Sequence, residues 1–330
     1  MMFSKKKYVK KVSFLAAVTC MVMMFSAGCG GEKEDNTVNI GFFPNITHAQ
    51  ALLAMDSGRL EEELGDSYDV EWTSFNAGPA EVEALAADEI DIGYIGPVPA
   101  INANVKTNGE ISILSNACDA GAVLLKRADA DIDSVQDLAG KTVAIPQVGN
   151  TQHLCLLSLL EENGLKSTEE GGDVTIVAVE NSQLQTMFEK GHVDAALPPE
   201  PWGSILERNC GAQVVMDYNE IMLDGNYPTA VVVVRNEYMD SHPDVVEKFL
   251  KVHNEMTDYY HNNSDEAIGM INNKIEELKG KKYDVDILKS AFDRLTISTE
   301  IRKDAMDAFI EMCEEQEFIS KKPDSDLLYR

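Results

Sequence analysis

PQVGNTQHLCLLSLL, residues 146–160, joins a glycine-containing turn to an apolar helix without one charged side chain, in a chain with 25% charged residues. The strand-like segment KTVAI precedes it. Asn150 and Thr151 have side chains that favour helix starts. A helix start exposes backbone N–H groups and carries roughly half a positive charge. We therefore expect a strand, a turn and a helix whose free amides face a ligand; ordinary capping is the alternative.

The same strand–turn–helix unit recurs along most of the chain. Short apolar strands alternate with helical segments as far as TAVVVVRN, and from Pro243 onward almost all of the pattern is helical. Short apolar strands between helices are typical of sheets covered on both faces. The pattern predicts an α/β fold of open, mostly parallel sheets with flanking helices. Residues 29–330 exceed what one hydrophobic core normally serves, so we expect two lobes.

A weak internal repeat supports two similar lobes. THAQALLAMDSGRL aligns with TQHLCLLSLLEENGL when His48 is set on His153, and EIDIGYIGPVP resembles HVDAALPPEP downstream. The alternative is that any two strand–helix–strand units look alike at this level.

The first residues have the pattern of a secretory signal. Five lysines and no acid precede an apolar run over residues 12–27, which is short for a membrane span. Cys29 follows Ala27 and Gly28, which resembles the lipobox of bacterial lipoproteins, although Ser26 stands where leucine is usual. We expect residues 1–28 to be a lipoprotein signal peptide, Cys29 to be acylated, and residues 29–37 to be a linker. An uncleaved anchor is the alternative.

The charge of the chain argues against nucleic acid as a partner. Loss of the five lysines of residues 1–28 lowers the formal net charge from −28 to −33. Such a surface repels nucleic acid and anionic lipid, but it suits a protein held outside the membrane by a lipid anchor. Cys118, Cys155, Cys210 and Cys313 lack CxxC spacing; disulfides are one reading and small buried apolar side chains the other.

Four junctions place helix starts beyond the carboxyl ends of strands, where open parallel sheets bind ligands. They are FFPNITHAQ, FNAGPAEVEAL, YIGPVPAIN and QVGNTQHL. Each combines glycine or proline with small polar residues, and Pro79 suits a first helical turn. Several such starts directed at one cleft would hold a small anion without arginine. Ordinary capping explains any one of them alone.

These motifs carry a family resemblance. FNAGPAEVEAL, IDIGYIGPVPAI, GNTQH and DAALPPEPW resemble the solute-binding proteins of ABC importers for aliphatic sulfonates, taurine and nitrate, over about residues 38–318. Their wider group includes binders of a thiamine pyrimidine precursor. The resemblance implies a two-lobed, periplasmic-binding-protein-like (type II) flytrap that closes on its ligand and delivers it to an ABC permease and its ATPase.

The resemblance also implies a domain plan and a site. Residues 38–120 with 230–330 would form lobe 1 and residues 121–229 lobe 2, with crossings near 118–124 and 224–230. The expected protein is a monomer without cofactor or metal, lipid-anchored at the outer face of the cell membrane. The expected ligand-binding residues are Asn45, Thr47, His48, Asn76, Gly78, Pro79, Gly96, Pro97, Gly149, Asn150, Thr151, Gln152, Pro199, Glu200 and Trp202. The chain has Ala77 where serine is usual and Pro97 where an acid is usual.

Glu200 and Trp202 bear on the kind of ligand. An ionised Glu200 in the cleft would oppose an anion but accept from an ammonium or a ring N–H. Trp202 would supply an apolar wall or stack on a cation. The expected ligand is therefore anionic or zwitterionic, with aliphatic sulfonates or taurine favoured. Nitrate, bicarbonate and a pyrimidine precursor are alternatives. A surface acid beside a buried tryptophan is the other reading of Glu200.

Enzymatic motifs are absent from the sequence. Its six histidines lack HExxH spacing, no GxSxG occurs, and the AGKT at residues 139–142 lacks the first glycine of a phosphate loop. Relatives of this fold that synthesise a pyrimidine need a cleft lysine, which the ligand loops lack. We therefore expect a binding protein, and an enzyme of the pyrimidine-precursor synthase type is the weaker alternative.

Overall fold

The computed structural model describes residues 36–330, so the expected signal peptide of residues 1–28 and the expected acylation site Cys29 lie outside the described residues. The strands are β1 (Thr37–Phe42), β2 (Asp69–Ser74), β3 (Ile92–Ile95), β4 (Ile111–Ala120), β5 (Leu124–Lys126), β6 (Thr142–Ile145), β7 (Thr175–Ala178), β8 (Ala195–Ala196), β9 (Gln213–Met216), β10 (Pro228–Arg235) and β11 (Leu295–Ile297).

The helices lie between and after these strands. They are α1 (Ala49–Ser57), α2 (Arg59–Leu64), α3 (Gly78–Ala86), α4 (Pro97–Lys106), α5 (Thr151–Glu162), α6 (Leu184–Glu189), α7 (Trp202–Cys210), α8 (Tyr218–Ile221), α9 (Asn236–Ser241), α10 (Pro243–Asn262), α11 (Ser264–Lys279), α12 (Val285–Phe292), α13 (Lys303–Glu315) and α14 (Ser325–Leu328). Short 3₁₀ turns include Ile46–His48, Thr168–Glu170 and Asn181–Gln183.

The strands form two sheets. The first has six strands in the order β11-β4-β10-β3-β1-β2, and the second has five in the order β7-β6-β8-β5-β9. The first sheet takes its strands from residues 37–120 and 228–297, and the second takes them from residues 124–216. Two sheets with flanking helices make the α/β fold class that the sequence predicts. The exact lobe boundaries stay a prediction.

The strand directions differ from the expected mostly parallel arrangement. β1 is parallel to both β2 and β3, and β6 is parallel to both β7 and β8. The pairs that involve β10, β4, β11, β5 and β9 are antiparallel. Both sheets are therefore mixed. The apolar pattern of a strand predicts its burial but not its direction, and β4 passes into β5 of the other sheet without an intervening helix.

The central strand β10 is the clearest sequence–structure match. Its PTAVVVVR segment is buried along nearly its whole length because β3 and β4 flank it and helices cover both faces. Helix α10 shows the complementary helical pattern. Val245, Phe249, Val252 and Met256 recur at three- and four-residue spacing and are buried against the first sheet.

The C-terminal region is helical with one exception. Strand β11 pairs with β4 at the edge of the first sheet, in a region where the sequence predicts helices. Three residues are too few for the pattern to identify a strand.

Within residues 36–330, no helix is long and apolar enough to cross a bilayer. Cys118, Cys155, Cys210 and Cys313 are free thiols, and all but Cys210 are buried.

Candidate functional site

A cavity of about 550 Å³ opens where strands of both sheets end and helices begin. It is lined from the first-sheet side by the loops after β1, β2 and β3, and from the second-sheet side by the loops after β6, β7 and β8. Ten of the expected ligand-binding residues line it: Asn45, Thr47, His48, Asn76, Gly96, Asn150, Thr151, Gln152, Pro199 and Trp202.

The start of α5 shows why its loop is uncharged. The Asn150 side chain caps the helix by accepting from the backbone N–H of His153 at 2.8 Å. No acid stands in the first turn. The Thr151 hydroxyl is buried and has no hydrogen-bond partner among the described residues. An unmade hydrogen bond at a buried hydroxyl is costly, so this group is available to a ligand at the cavity wall.

Two further helix starts reach the same cavity from the first sheet. Ala77 precedes α3 and Gly96 precedes α4, and neither helix start receives a side-chain cap. A Cβ atom at Gly96 would lie 2.7 Å from the Thr151 hydroxyl oxygen. Glycine therefore allows the α4 start to approach the α5 start closely. The uncapped starts of α3 and α4 direct the positive ends of two helix dipoles at the cavity, which favours an anion there.

His48 contributes a neutral donor. Its Nδ1 accepts the Phe43 backbone N–H at 3.1 Å, so in the neutral imidazole the proton is on Nε2. The side chain is buried, and burial lowers the pKa of His48 to about 3. His48 is therefore uncharged at neutral pH. Its Nε2 has no partner in the described part of the chain, and the residue lines the cavity.

Amides and aromatic rings complete the walls. Asn45 accepts from the Thr47 backbone N–H at 3.0 Å and caps the 3₁₀ turn after β1. The side-chain oxygen of Asn181 is buried without a partner among residues 36–330. Phe43, Phe75 and Trp202 supply apolar surface. A small ligand with both an anionic and an aliphatic part suits such a lining.

Five expected site residues do not line the cavity: Gly78, Pro79, Pro97, Gly149 and Glu200. Gly78 packs on the Pro99 ring, while Pro79 and Pro97 occupy the first turns of α3 and α4. Gly149 has a φ of +85°, which glycine tolerates best, and its N–H is turned toward His153 at 3.2 Å. Gly78, Pro79, Pro97 and Gly149 shape the loops in this arrangement, and direct contact between them and a ligand stays a prediction.

Glu200 is the main correction. Its carboxylate is fully buried and accepts from the Arg294 guanidinium at 2.8 Å and from the Ser204 backbone N–H at 3.0 Å. Burial raises its pKa, and the hydrogen bonds from Ser204 and Arg294 oppose that shift. Glu200 thus ties α7 to the segment after α12 instead of facing a ligand. The PPEPW motif could not reveal this role because Arg294 lies far along the chain.

The structure adds residues that the sequence did not indicate. Among the described residues that line the cavity, Lys279 at the end of α11 is the one cationic side chain, because His48 is neutral. The Lys279 side chain is exposed. Glu180 lines the cavity from the second-sheet side. Neither residue has an ion-pair partner within the described chain. No local motif could have marked Lys279, because a lysine at a helix end is common.

Metal coordination is not supported by the described side chains. Among residues 36–330, no group of three or more histidine, cysteine, aspartate or glutamate side chains could hold a metal ion.

Two curated relatives are binding proteins. The chain is 28% identical over 282 residues to the putative aliphatic sulfonates-binding protein of Bacillus subtilis (strain 168), covering 83% of this chain and 81% of that protein. It is 29% identical over 220 residues to the taurine-binding periplasmic protein of Escherichia coli (strain K12), covering 66% of this chain and 65% of that protein.

The fold has solved counterparts. The alkanesulfonate-binding protein SsuA from Xanthomonas axonopodis pv. citri, solved bound to MOPS, matches with a TM-score of 0.74 at 19% identity. The match covers 89% of this chain and 98% of that one, and it shows the periplasmic-binding-protein fold. The model of the NMT1-like family matches residues 31–271, which is well over half of the sequence. The chain therefore belongs to the NMT1-like family.

Proposed function

We propose that this protein is the solute-binding component of an ABC importer, which captures a small anion in the cavity and delivers it to a membrane permease. The relatives from B. subtilis and E. coli are binding proteins for aliphatic sulfonates and taurine by name, which supports a solute-binding role. Aliphatic sulfonates and taurine are therefore the ligands that we favour for this protein. The relatives are binding proteins rather than enzymes, which supports a function without catalysis.

The proposal rests mainly on the Thr151 hydroxyl, which has no hydrogen-bond partner among the described residues. This hydroxyl lies where the starts of α3, α4 and α5 converge on the cavity. An anionic group placed there would accept from that hydroxyl and from free amides at the starts of α3 and α5. His48 Nε2–H would donate from the side. We retain as ligand contacts Asn45, Thr47, His48, Asn76, Gly96, Asn150, Thr151, Gln152, Pro199 and Trp202.

Closure of two lobes would complete the site. The proposed crossings near residues 118–124 and 224–230 hydrogen-bond to each other, since the Ala120 N–H donates to the Tyr227 carbonyl at 2.8 Å. Ala120 and Gly121 both have positive φ angles, 64° and 82°. Paired crossing segments between two sheets suit a hinge. We propose residues 38–120 with 230–330 as one lobe and residues 121–229 as the other.

The sequence and the relatives support a location outside the cytoplasm. The E. coli relative is periplasmic by its name. We propose that this protein is likewise extracytoplasmic, that it is anchored through a lipid on Cys29 to the outer face of the membrane, and that it works as a monomer. Its partners would be the permease and its ATPase.

The alternatives differ in what the cavity must hold. Nitrate or bicarbonate would use the same amides but would leave the aromatic wall of Phe43, Phe75 and Trp202 unused. A pyrimidine precursor would need an acceptor for its ring N–H groups, a role for which Glu180 is present. An enzyme of the pyrimidine-precursor synthase type would need an activated lysine. Lys279 is exposed, whereas burial is one usual means of activating such a lysine.

Thermal melting of the purified protein against a ligand panel tests the proposal. The panel holds alkanesulfonates, taurine, nitrate, bicarbonate and hydroxymethylpyrimidine, with chloride as the ionic-strength control. Ligand at a hundred times its dissociation constant adds about 2.7 kcal/mol of stability. We expect the largest upward shift with a sulfonate or taurine. A shift with the pyrimidine alone would replace the sulfonate assignment, and no shift with any compound would contradict the anion site.

A further inference from the structure

His153 lies directly behind the loop that lines the ligand cavity. Its Nδ1 accepts the Gly149 backbone N–H at 3.2 Å, and its own backbone N–H donates to the Asn150 side chain at 2.8 Å. Asn150, Thr151 and Gln152 line the ligand cavity, but His153 does not. The imidazole thus holds Gly149, and the His153 backbone holds Asn150, at the helix end of the four-residue loop 147–150.

The ring of His153 faces a second cavity, of about 410 Å³, on the other side of α5. It packs on Phe318, with ring centroids 5.3 Å apart. The side chain is nine-tenths buried, and its Nε2 has no partner among the described residues. The second cavity gives the ring a route to solvent that does not pass through the ligand cavity.

Only acids face His153 from the elements packed around it. Glu169 and Glu170 come from the 3₁₀ turn, and Glu315 and Glu317 come from the end of α13. Glu170 is partly engaged, because it accepts from the Ser167 hydroxyl at 2.8 Å. No lysine or arginine lines this cavity. Burial lowers the pKa of His153 from its ordinary value of 6.5, and the charges of Glu169 and Glu170 oppose that shift. The Gly149 hydrogen bond also requires the unprotonated Nδ1 of the neutral ring.

We propose that His153 is a positioning residue which holds the ligand loop 147–150 in its binding geometry only while its imidazole is neutral, so that acidification weakens ligand binding. The inference rests on the proposed function, because it concerns the affinity of the same ligand cavity. The chemical reason is the donor–acceptor pattern: a protonated Nδ1 is a donor and cannot accept the Gly149 N–H. The loop then loses its hydrogen bond to the imidazole, although the backbone bond to Asn150 remains, and the Asn150 and Thr151 contacts with a bound anion weaken.

A competing effect has the opposite sign. The positive charge of protonated His153 would attract an anion across α5. That charge would point into a cavity with four carboxylates, which neutralise it locally, whereas the lost Gly149 bond acts directly on the loop. The two effects predict opposite pH profiles, so the measurement separates them.

The experiment compares ligand affinity of wild type, His153→Gln and His153→Leu from about pH 7.5 to about pH 5 by calorimetry. The glutamine carbonyl can accept the Gly149 N–H but does not titrate, and leucine removes the acceptor. In wild type we expect affinity to fall several-fold across this range, by at most about tenfold per pH unit for one proton. His153→Gln is expected to keep a flat profile, and His153→Leu to bind weakly at every pH. Parallel profiles of wild type and His153→Gln, or tighter wild-type binding in acid, would overturn the proposal.

A ligand-free readout distinguishes failure of this inference from failure of the proposed function. Amide hydrogen exchange of residues 147–150 is compared between wild type and His153→Gln at each pH, so that the intrinsic exchange rate cancels. If residues 147–150 exchange faster in wild type than in His153→Gln at acidic pH but not at neutral pH, the positioning role is supported even if no panel compound binds. Equal exchange in both proteins contradicts it, whatever the ligand proves to be.

Discussion

His48 and His153 make the same hydrogen bond at the starts of two helices. Nδ1 of His48 accepts the Phe43 N–H at 3.1 Å, and Nδ1 of His153 accepts the Gly149 N–H at 3.2 Å. These two residues are the pair that superimposes in the sequence repeat. The shared geometry supports two related strand–turn–helix units. The two units differ in the cavity that the ring lines. His48 lines the ligand cavity, whereas His153 lines the second cavity, on the other side of α5.

Thr151→Val is expected to separate binding from stability. Valine keeps the shape and removes a hydroxyl that has no partner within residues 36–330, so the melting temperature should stay the same or rise. Ligand affinity should fall roughly tenfold or more, because a hydrogen bond to a charged group is lost. Calorimetry and thermal melting measure both effects. Thr107→Val is the matched control. The Thr107 hydroxyl lies away from the cavity and donates to the Ala103 carbonyl, so the ligand affinity of this variant should be unchanged. A Thr151→Val protein with wild-type affinity would remove the hydroxyl from the site.

Lys279→Gln is expected to weaken anion binding two- to fivefold, which is typical of one exposed charge pair. The loss should shrink at high salt because screening already weakens that pair in wild type. Affinity measured at two salt concentrations checks both statements. Lys281→Gln is the control, because Lys281 is also exposed but does not line the cavity. Equal losses in the two variants would show only the effect of net charge.

Glu200→Gln is expected to alter stability rather than ligand choice. The change removes the charge that Arg294 pairs with in a buried position, although Glu207 and Asp217 still contact Arg294. We expect a loss of about 1–3 kcal/mol in the free energy of unfolding, measured with urea. Affinities for taurine and for an alkanesulfonate should change by the same factor. Selective loss of taurine binding would return Glu200 to the ligand site.

Glu81→Gln is expected to flatten the pH dependence of stability. Glu81 lies in the first turn of α3, is fully buried against Gly41 and Gly93 of neighbouring strands, and has no partner for either carboxylate oxygen among the described residues. Burial raises its pKa well above the ordinary value of 4.5. The contribution of Glu81 to the free energy of unfolding is therefore complete below pH 4.5 and is lost as pH rises toward the folded-state pKa.

Urea unfolding of wild type and Glu81→Gln from about pH 4.5 to about pH 8 checks this sign. The wild type should lose up to about 1.4 kcal/mol per pH unit from this group, and the variant should lack that slope. Parallel curves would mean that Glu81 gains a partner that the geometry does not show.

The sequence predicted the fold well where signals are local. The strand in TVNIGFF, the helix after GNT and the valine run of β10 are marked by residues within one segment. Strand direction and β11 were missed because both depend on pairing with strands that are remote in sequence. The same division holds for the site. Asn150 and Thr151 could be predicted from helix-start chemistry, whereas Lys279 reaches the cavity only through tertiary packing. Glu200 was misread because its partner Arg294 is supplied by another segment.

A crystal structure with 2-bromoethanesulfonate, in which anomalous scattering locates the bromine, tests the central claim most directly. We predict the sulfonate at the starts of α3 and α5, with an oxygen within hydrogen-bonding distance of the Thr151 hydroxyl, and the bromine near Phe43, Phe75 or Trp202. A bromine peak in the second cavity, on the other side of α5, would contradict the account. The absence of a bromine peak in the ligand cavity would also contradict it.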